Sequence, residues 1–141
     1  MTEVNENYGD FVQRLKKDYS EYRFREGGRF AFRTPSTIIY EDCGGRGENG
    51  CRLQLLHELG HAILGHREFW TDVERIKIER AAWEKARELA EQYNIYYDEE
   101  FVEEKLDSYR DWLHKRSQCP RCKATRFQTR GGDYHCPNCE M

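Results

Sequence analysis

The stretch Leu55-Leu56-His57-Glu58-Leu59-Gly60-His61-Ala62-Ile63-Leu64 decides how this chain is read. On a helix, residues four apart share a face, so His57 and His61 project together and can hold one zinc ion. Glu58, the neighbour of His57, is then placed to act as a general base on a zinc-bound water. The run predicts an apolar helix ending near Gly65, and it makes zinc-dependent hydrolysis the leading expectation.

Working outward, residues 8–22 predict a helix, with Phe11, Leu15, Tyr19 and Tyr22 at helical spacing and Gly27-Gly28 as the stop. Two short strands are expected at Arg29–Phe32 and Thr37–Tyr40. A loop over residues 44–50 comes next, with Asn49 as the N-cap of the motif helix. Downstream, a long helix over 71–93 carries the stripe Ile76, Trp83, Ala86, Ala90 and Tyr93. A last helix over 98–116 carries Val102, Leu106, Tyr109 and Leu113 on one face. The expected class is α+β: a mainly helical, zincin-like metalloprotease domain with a small β-sheet over residues 1–116, and a zinc-ribbon β-hairpin over 117–141.

A catalytic zinc takes three protein ligands and keeps its fourth position for water. Candidates after His61 are His66 and the carboxylates Glu74, Glu79, Glu84 and Glu88. With Ile76 set at zero and about 100° per residue, Glu79 falls near -60°, inside the stripe that reaches Ala86 near -80°. The other three carboxylates lie more than about 75° away on the opposite side. A carboxylate on a buried stripe is costly unless paired, so Glu79 is the expected third ligand. Its bland alternative is an arginine partner or a helix cap. His66 lies about 140° round from His61 and beyond Gly65, which fits packing or hydrogen bonding better than ligation. Tyr96, Tyr97 and His66 are the candidates for stabilising an oxyanion.

The tail carries a second metal pattern. Cys119-Pro120-Arg121-Cys122 and Cys136-Pro137-Asn138-Cys139 each place two thiolates on a tight knuckle, and four thiolates close a tetrahedral structural zinc. Residues 125–135 between them read as a hairpin around Gly131-Gly132. So small a module has almost no core, so the metal should fold it. Arg121, Lys123, Arg126 and Arg130, with Phe127 and Tyr134 among them, suit phosphate contact and base stacking, docking of a protein substrate, or plain packing. Cys43 and Cys51 flank the glycine loop and are expected to be reduced; a thiolate blocking the open zinc position is the alternative.

Composition narrows the setting. The chain has 141 residues, 35% of them charged, and a mean hydropathy of -1.02. Its apolar runs fall far short of the roughly 20 residues that cross a bilayer, and its polar, acidic start is unlike a secretory signal, so a cytoplasmic location is expected. Residues 115–141 hold six basic side chains against Asp133 and Glu140, a surplus of +4. The whole chain is -3, leaving -7 for residues 1–114. An acidic body with a basic tail suggests two parts with different partners.

His57 to His66 resembles the ImmA/IrrE family of metallo-endopeptidases, and Glu79-Arg80-Ala81-Ala82-Trp83-Glu84-Lys85-Ala86 is similar to that family's glutamate-bearing helix. Segments 88–95 and 99–106 are similar to the family's region after that helix, so the resemblance spans roughly residues 8–113. It implies a gluzincin site with His57, His61 and Glu79 on zinc and Glu58 as the base. It also implies limited proteolysis of a regulatory protein, such as a transcriptional repressor. The chain departs from the family in a shorter stretch before its last helix and in carrying a zinc ribbon rather than a recognisable helix-turn-helix domain. Two further readings stand beside this one. A SprT-like protease acting on DNA-bound proteins also joins such a helix to a ribbon, but takes a further His as third ligand, and none occurs between His66 and His114. A non-catalytic zinc-ribbon adaptor for DNA or protein would have no use for Glu58.

Overall fold

The computed structural model describes residues 6–43, 47–67 and 71–139. Its element order is α1 (Tyr8–Asp18), β1 (Arg23–Glu26), β2 (Ala31–Arg33), β3 (Thr37–Tyr40), α2 (Glu48–Leu64), α3 (Asp72–Gln92), α4 (Glu99–Ser117), β4 (Phe127–Gln128) and β5 (Tyr134–His135). The class is α+β, as expected. The chain forms two compact units: residues up to 67 with 81–98, and residues 68–80 with 99–141. The helix α3 is divided between them after Arg80.

In the first unit, β3 is the middle strand, parallel to β1 and antiparallel to β2. Ile38, Ile39 and Tyr40 of β3 are buried. The motif helix α2 is buried on every side from Leu55 to Ala62. Leu55, Leu56, Leu59 and Ala62 supply the apolar surface for that burial, and His57, Glu58 and His61 are buried with them as the polar exceptions. Phe11 and Leu15 of α1 and Ala82, Trp83, Ala86, Leu89 and Ala90 of α3 complete this core. Phe11 meets the Tyr93 ring edge-on at 6.0 Å, and the Tyr93 hydroxyl donates to Asp18 at 2.6 Å. At Gly60 α2 and α3 approach closely, since a Cβ there would lie 2.7 Å from the Ala82 carbonyl oxygen.

Several local expectations change. The first helix stops at Asp18 rather than Tyr22; Tyr19 and Tyr22 stack on each other across a turn, and the chain re-enters as β1. The α2 N-cap is Gly47, in the left-handed region at φ 55°, and not Asn49. Asn49 lies one residue inside the helix, and its amide donates instead to the Tyr96 carbonyl. Residues 48–50 of the expected loop are therefore helical, and 44–46 lie outside the described residues. Cys43 and Cys51 are joined in a disulfide, which corrects the expectation of reduced thiols and removes the blocking thiolate. The early start of α2 brings the two Cα atoms to 6.5 Å, within bridging range.

The second unit gathers the start of α3, the whole of α4 and the tail. Val102 and Leu106 are its buried α4 residues, and the Arg75 guanidinium lies over the Trp112 ring at 4.7 Å. The tail hairpin pairs Phe127 with His135 and Gln128 with Tyr134. Among the described residues, no helix is long and apolar enough to cross a membrane.

Candidate metal centre

Among the described residues, two groups of side chains bring ligand atoms within 4.8 Å of one another: His57, Glu58 and His61, and the four tail cysteines. Both coincide with patterns visible in the sequence.

The first group is built by α2. Its two histidines are one turn apart, and their Nε2 atoms lie 3.2 Å from each other. A tetrahedral zinc with Zn–N bonds of about 2.0–2.1 Å has an N···N edge of about 3.3–3.4 Å. The observed spacing already matches that edge. His57, Glu58 and His61 are all under 10% exposed, so three titratable groups lie buried together. A bound cation relieves the cost of keeping a carboxylate there. Aromatic rings hold the imidazoles: Trp83 of α3 stacks on His57 at 4.2 Å and 24°, and Phe32 of β2 lies parallel to His61 at 6.3 Å and 11°. The sequence marks neither ring as part of the site. Trp83 stands out there only as a stripe residue and Phe32 only as a strand residue. Trp83 is 26 positions and Phe32 is 29 positions from the histidine it faces, so no local spacing marks either.

The remaining candidates are spread more widely. Glu79 is half-buried on the part of α3 that belongs to the second unit, and it is not a member of the 4.8 Å group. His66 places its Nδ1 2.9 Å from His61 Nδ1, the hydrogen-bonding role expected of it. The Tyr97 hydroxyl donates to the Trp83 carbonyl at 3.3 Å, and Tyr96 is 72% exposed. A cleft of about 250 Å³ lies apart from the motif, lined by Glu6, Asn49, Arg52 and residues 93–96. None of the three motif side chains lines it.

No family model, curated protein or solved structure matches this chain. Its chemistry must be read from its own donor sets.

In the tail group, Cys119 and Cys136 are fully buried and all four thiols are free of disulfides. Cys122 and Cys136 Sγ lie 3.6 Å apart, against about 3.8 Å for the S···S edge of a tetrahedral zinc with Zn–S near 2.3 Å. The knuckle is set by Lys123 at φ 66°, whose N–H bonds the Cys119 carbonyl at 2.9 Å. The Asn138 side chain and the Ala124 N–H pull the Cys122 thiol down to about 6. Backbone N–H groups of Cys122 and Arg121 lower Cys119 as well, whereas the bond with Cys122, then burial, pushes Cys139 up to about 12. Four cysteine thiols gathered from two knuckles suit a soft divalent metal, and zinc is compatible with them.

The hairpin above these thiols has two faces. One is fastened inside its own unit: Tyr134 donates to the Asp72 carboxylate at 2.5 Å, Arg116 Nε donates to the same oxygen at 2.8 Å, and the Gln128 side-chain oxygen accepts the Asp72 N–H at 2.6 Å. That last bond satisfies one of the open N–H groups at the start of α3, alongside the Thr71 hydroxyl that accepts from Glu74. Burial alone would raise the Asp72 carboxyl, but the Tyr134 and Arg116 bonds outweigh it and hold it below the usual range. Arg126 lies over the Tyr134 ring at 4.9 Å and donates to the Arg116 carbonyl. Tyr134 and Arg126, both candidate nucleic-acid contacts by sequence, are thus engaged internally. Phe127, 57% exposed and stacked on His135, belongs to the other face.

Proposed function

We propose that this chain is a zinc-dependent endopeptidase of the ImmA/IrrE kind that cleaves a regulatory protein, with a zinc-ribbon tail that recruits the substrate or nucleic acid. The observation that carries the reading is the buried trio on α2: two Nε2 atoms 3.2 Å apart with the Glu58 carboxylate in the same 4.8 Å group. His57 and His61 hold the metal, and Glu79, one helical turn before Trp83 on α3, is the proposed third ligand. Zinc in such a site acidifies water and polarises a carbonyl. Glu58 accepts the proton of the attacking water and returns it to the leaving amine. Trp83 and Phe32 fix the ring planes and keep bulk water from the histidines. The tail thiols hold a second, structural zinc that folds the hairpin.

The test is proteolysis of casein and of candidate repressors by the wild type and by Glu58→Gln. The reading expects cleavage by the wild type and a loss of at least about 100-fold in the variant, the scale of a missing general base. Equal cleavage by both proteins would remove the peptidase assignment from this site and return the adaptor reading.

A further inference from the structure

We infer that His66 is a positioning residue for the motif metal: it fixes the tautomer and tilt of His61. The inference rests on the metal reading above. A helix continuing past Leu64 would carry residue 66 about 140° away from residue 61. Instead Gly65 takes the left-handed conformation at φ 67°, and the His66 N–H closes back on the His61 carbonyl at 3.0 Å. That stop folds the His66 ring over the end of α2, with ring centres 5.1 Å apart and Nδ1 atoms 2.9 Å apart.

The chemistry of the pair is set by the neighbour that each ring nitrogen faces. His61 Nε2 faces His57 Nε2, and His61 Nδ1 faces His66. A ligating nitrogen must present a lone pair, so a neutral His61 that ligates through Nε2 carries its proton on Nδ1. Only one proton can lie in the 2.9 Å contact. His66 therefore accepts at Nδ1 and keeps its own proton on Nε2. An acceptor on the far nitrogen fixes ring orientation and raises the basicity of the ligating one. Phe32 lies parallel to the His61 ring, and the His66 contact sets the turn of that ring about its Cβ–Cγ bond. His66 is half-buried and stands outside the packed core, so core packing does not account for this placement.

The experiment is cobalt titration of the full chain, because thiolate-to-cobalt charge transfer reports the tail site separately from the histidine site. Wild type, His66→Leu, His66→Asn and His57→Ala are compared, with urea midpoints measured in metal-free buffer. The wild type should take two ions. His66→Leu should keep the tail ion and bind the other about 10–100-fold more weakly, the usual effect of losing a ligand's hydrogen-bond partner. His66→Asn, whose oxygen occupies the place of Nδ1, should recover most of that affinity, and the midpoints of both variants should stay near the wild type. Undiminished affinity in His66→Leu overturns the inference. Complete loss in both variants also overturns it, by making His66 a ligand. A wild type that takes one ion, unchanged in His57→Ala, overturns the metal reading itself before His66 is altered.

Discussion

Gly60 lies between the two motif histidines, and replacing it with alanine sets two effects against each other. Helix propensity favours alanine over glycine by about 1 kcal/mol in a helix interior. Against this, the new Cβ would lie 2.7 Å from the Ala82 carbonyl oxygen and 3.3 Å from Lys85 Cβ. Ordinary contact begins near 3.4 Å, so α2 and α3 must separate by about 0.7 Å. A backbone oxygen inside a helix cannot rotate aside as a side-chain end can. Overpacking of this sort costs about 1–3 kcal/mol, so after the propensity gain a net loss of up to about 2 kcal/mol is expected. The same displacement exceeds the roughly 0.2 Å within which metal–ligand distances hold, and it acts next to His61, one of the two proposed ligands. Urea unfolding followed by circular dichroism should give a midpoint lower by up to about 1 M for Gly60→Ala. Cobalt affinity at the histidine site should fall while the tail site keeps its ion. A midpoint that rises, with undiminished affinity, would refute the close-approach argument and leave propensity as the dominant effect.

Three further outcomes are expected. Asp72→Asn removes charge-assisted bonds from Tyr134 and Arg116 and should cost about 2–3 kcal/mol, mostly through Tyr134, because Arg116 is half-exposed and its ion pair is screened. The depressed carboxyl of Asp72 contributes stability that is full above its unfolded value of about 3.9 and is lost as pH falls through its lower folded value; an acid titration of stability should show this step in the wild type and not in the variant. Cys43→Ser opens a disulfide of sequence separation 8, which in the chain-entropy account should cost about 2–3 kcal/mol, and dithiothreitol should then cause no further loss. Cys139→Ser should remove one metal ion per chain and melt the Phe127–His135 hairpin, seen as lost amide dispersion for residues 125–135, with the histidine site still filled.

The motif helix and the two long helices are legible in the sequence because their apolar residues recur at helical spacing, and the tail hairpin because paired cysteines bracket a glycine turn. The strand β1 is not. Arg23-Phe24-Arg25-Glu26 lies at an edge with one half-buried apolar residue, so it carries no alternation to read. The cap at Gly47 escapes a sequence reading because Asn49, the better N-cap by residue type, is held by a carbonyl 47 positions away. The candidate site divides in the same way. His57, Glu58 and His61 are set by spacing along one helix, which a sequence displays directly. The rings that hold them, and the Asp72 bonds that hold the hairpin, arise from tertiary packing between residues 26 to 62 positions apart. Of the two chemical patterns, the cysteine knuckles announce both their ligands and their number, whereas the motif announces two ligands and leaves the third to periodicity.

The central claim is that the trio on α2 holds a metal of its own. Elemental analysis of zinc per chain, in the wild type and in His57→Ala after mild chelation, addresses it most directly. The account predicts two zinc ions in the wild type and one in the variant, with both retained in Glu58→Gln. One zinc in all three proteins, lost only when Cys119 is replaced, would contradict it.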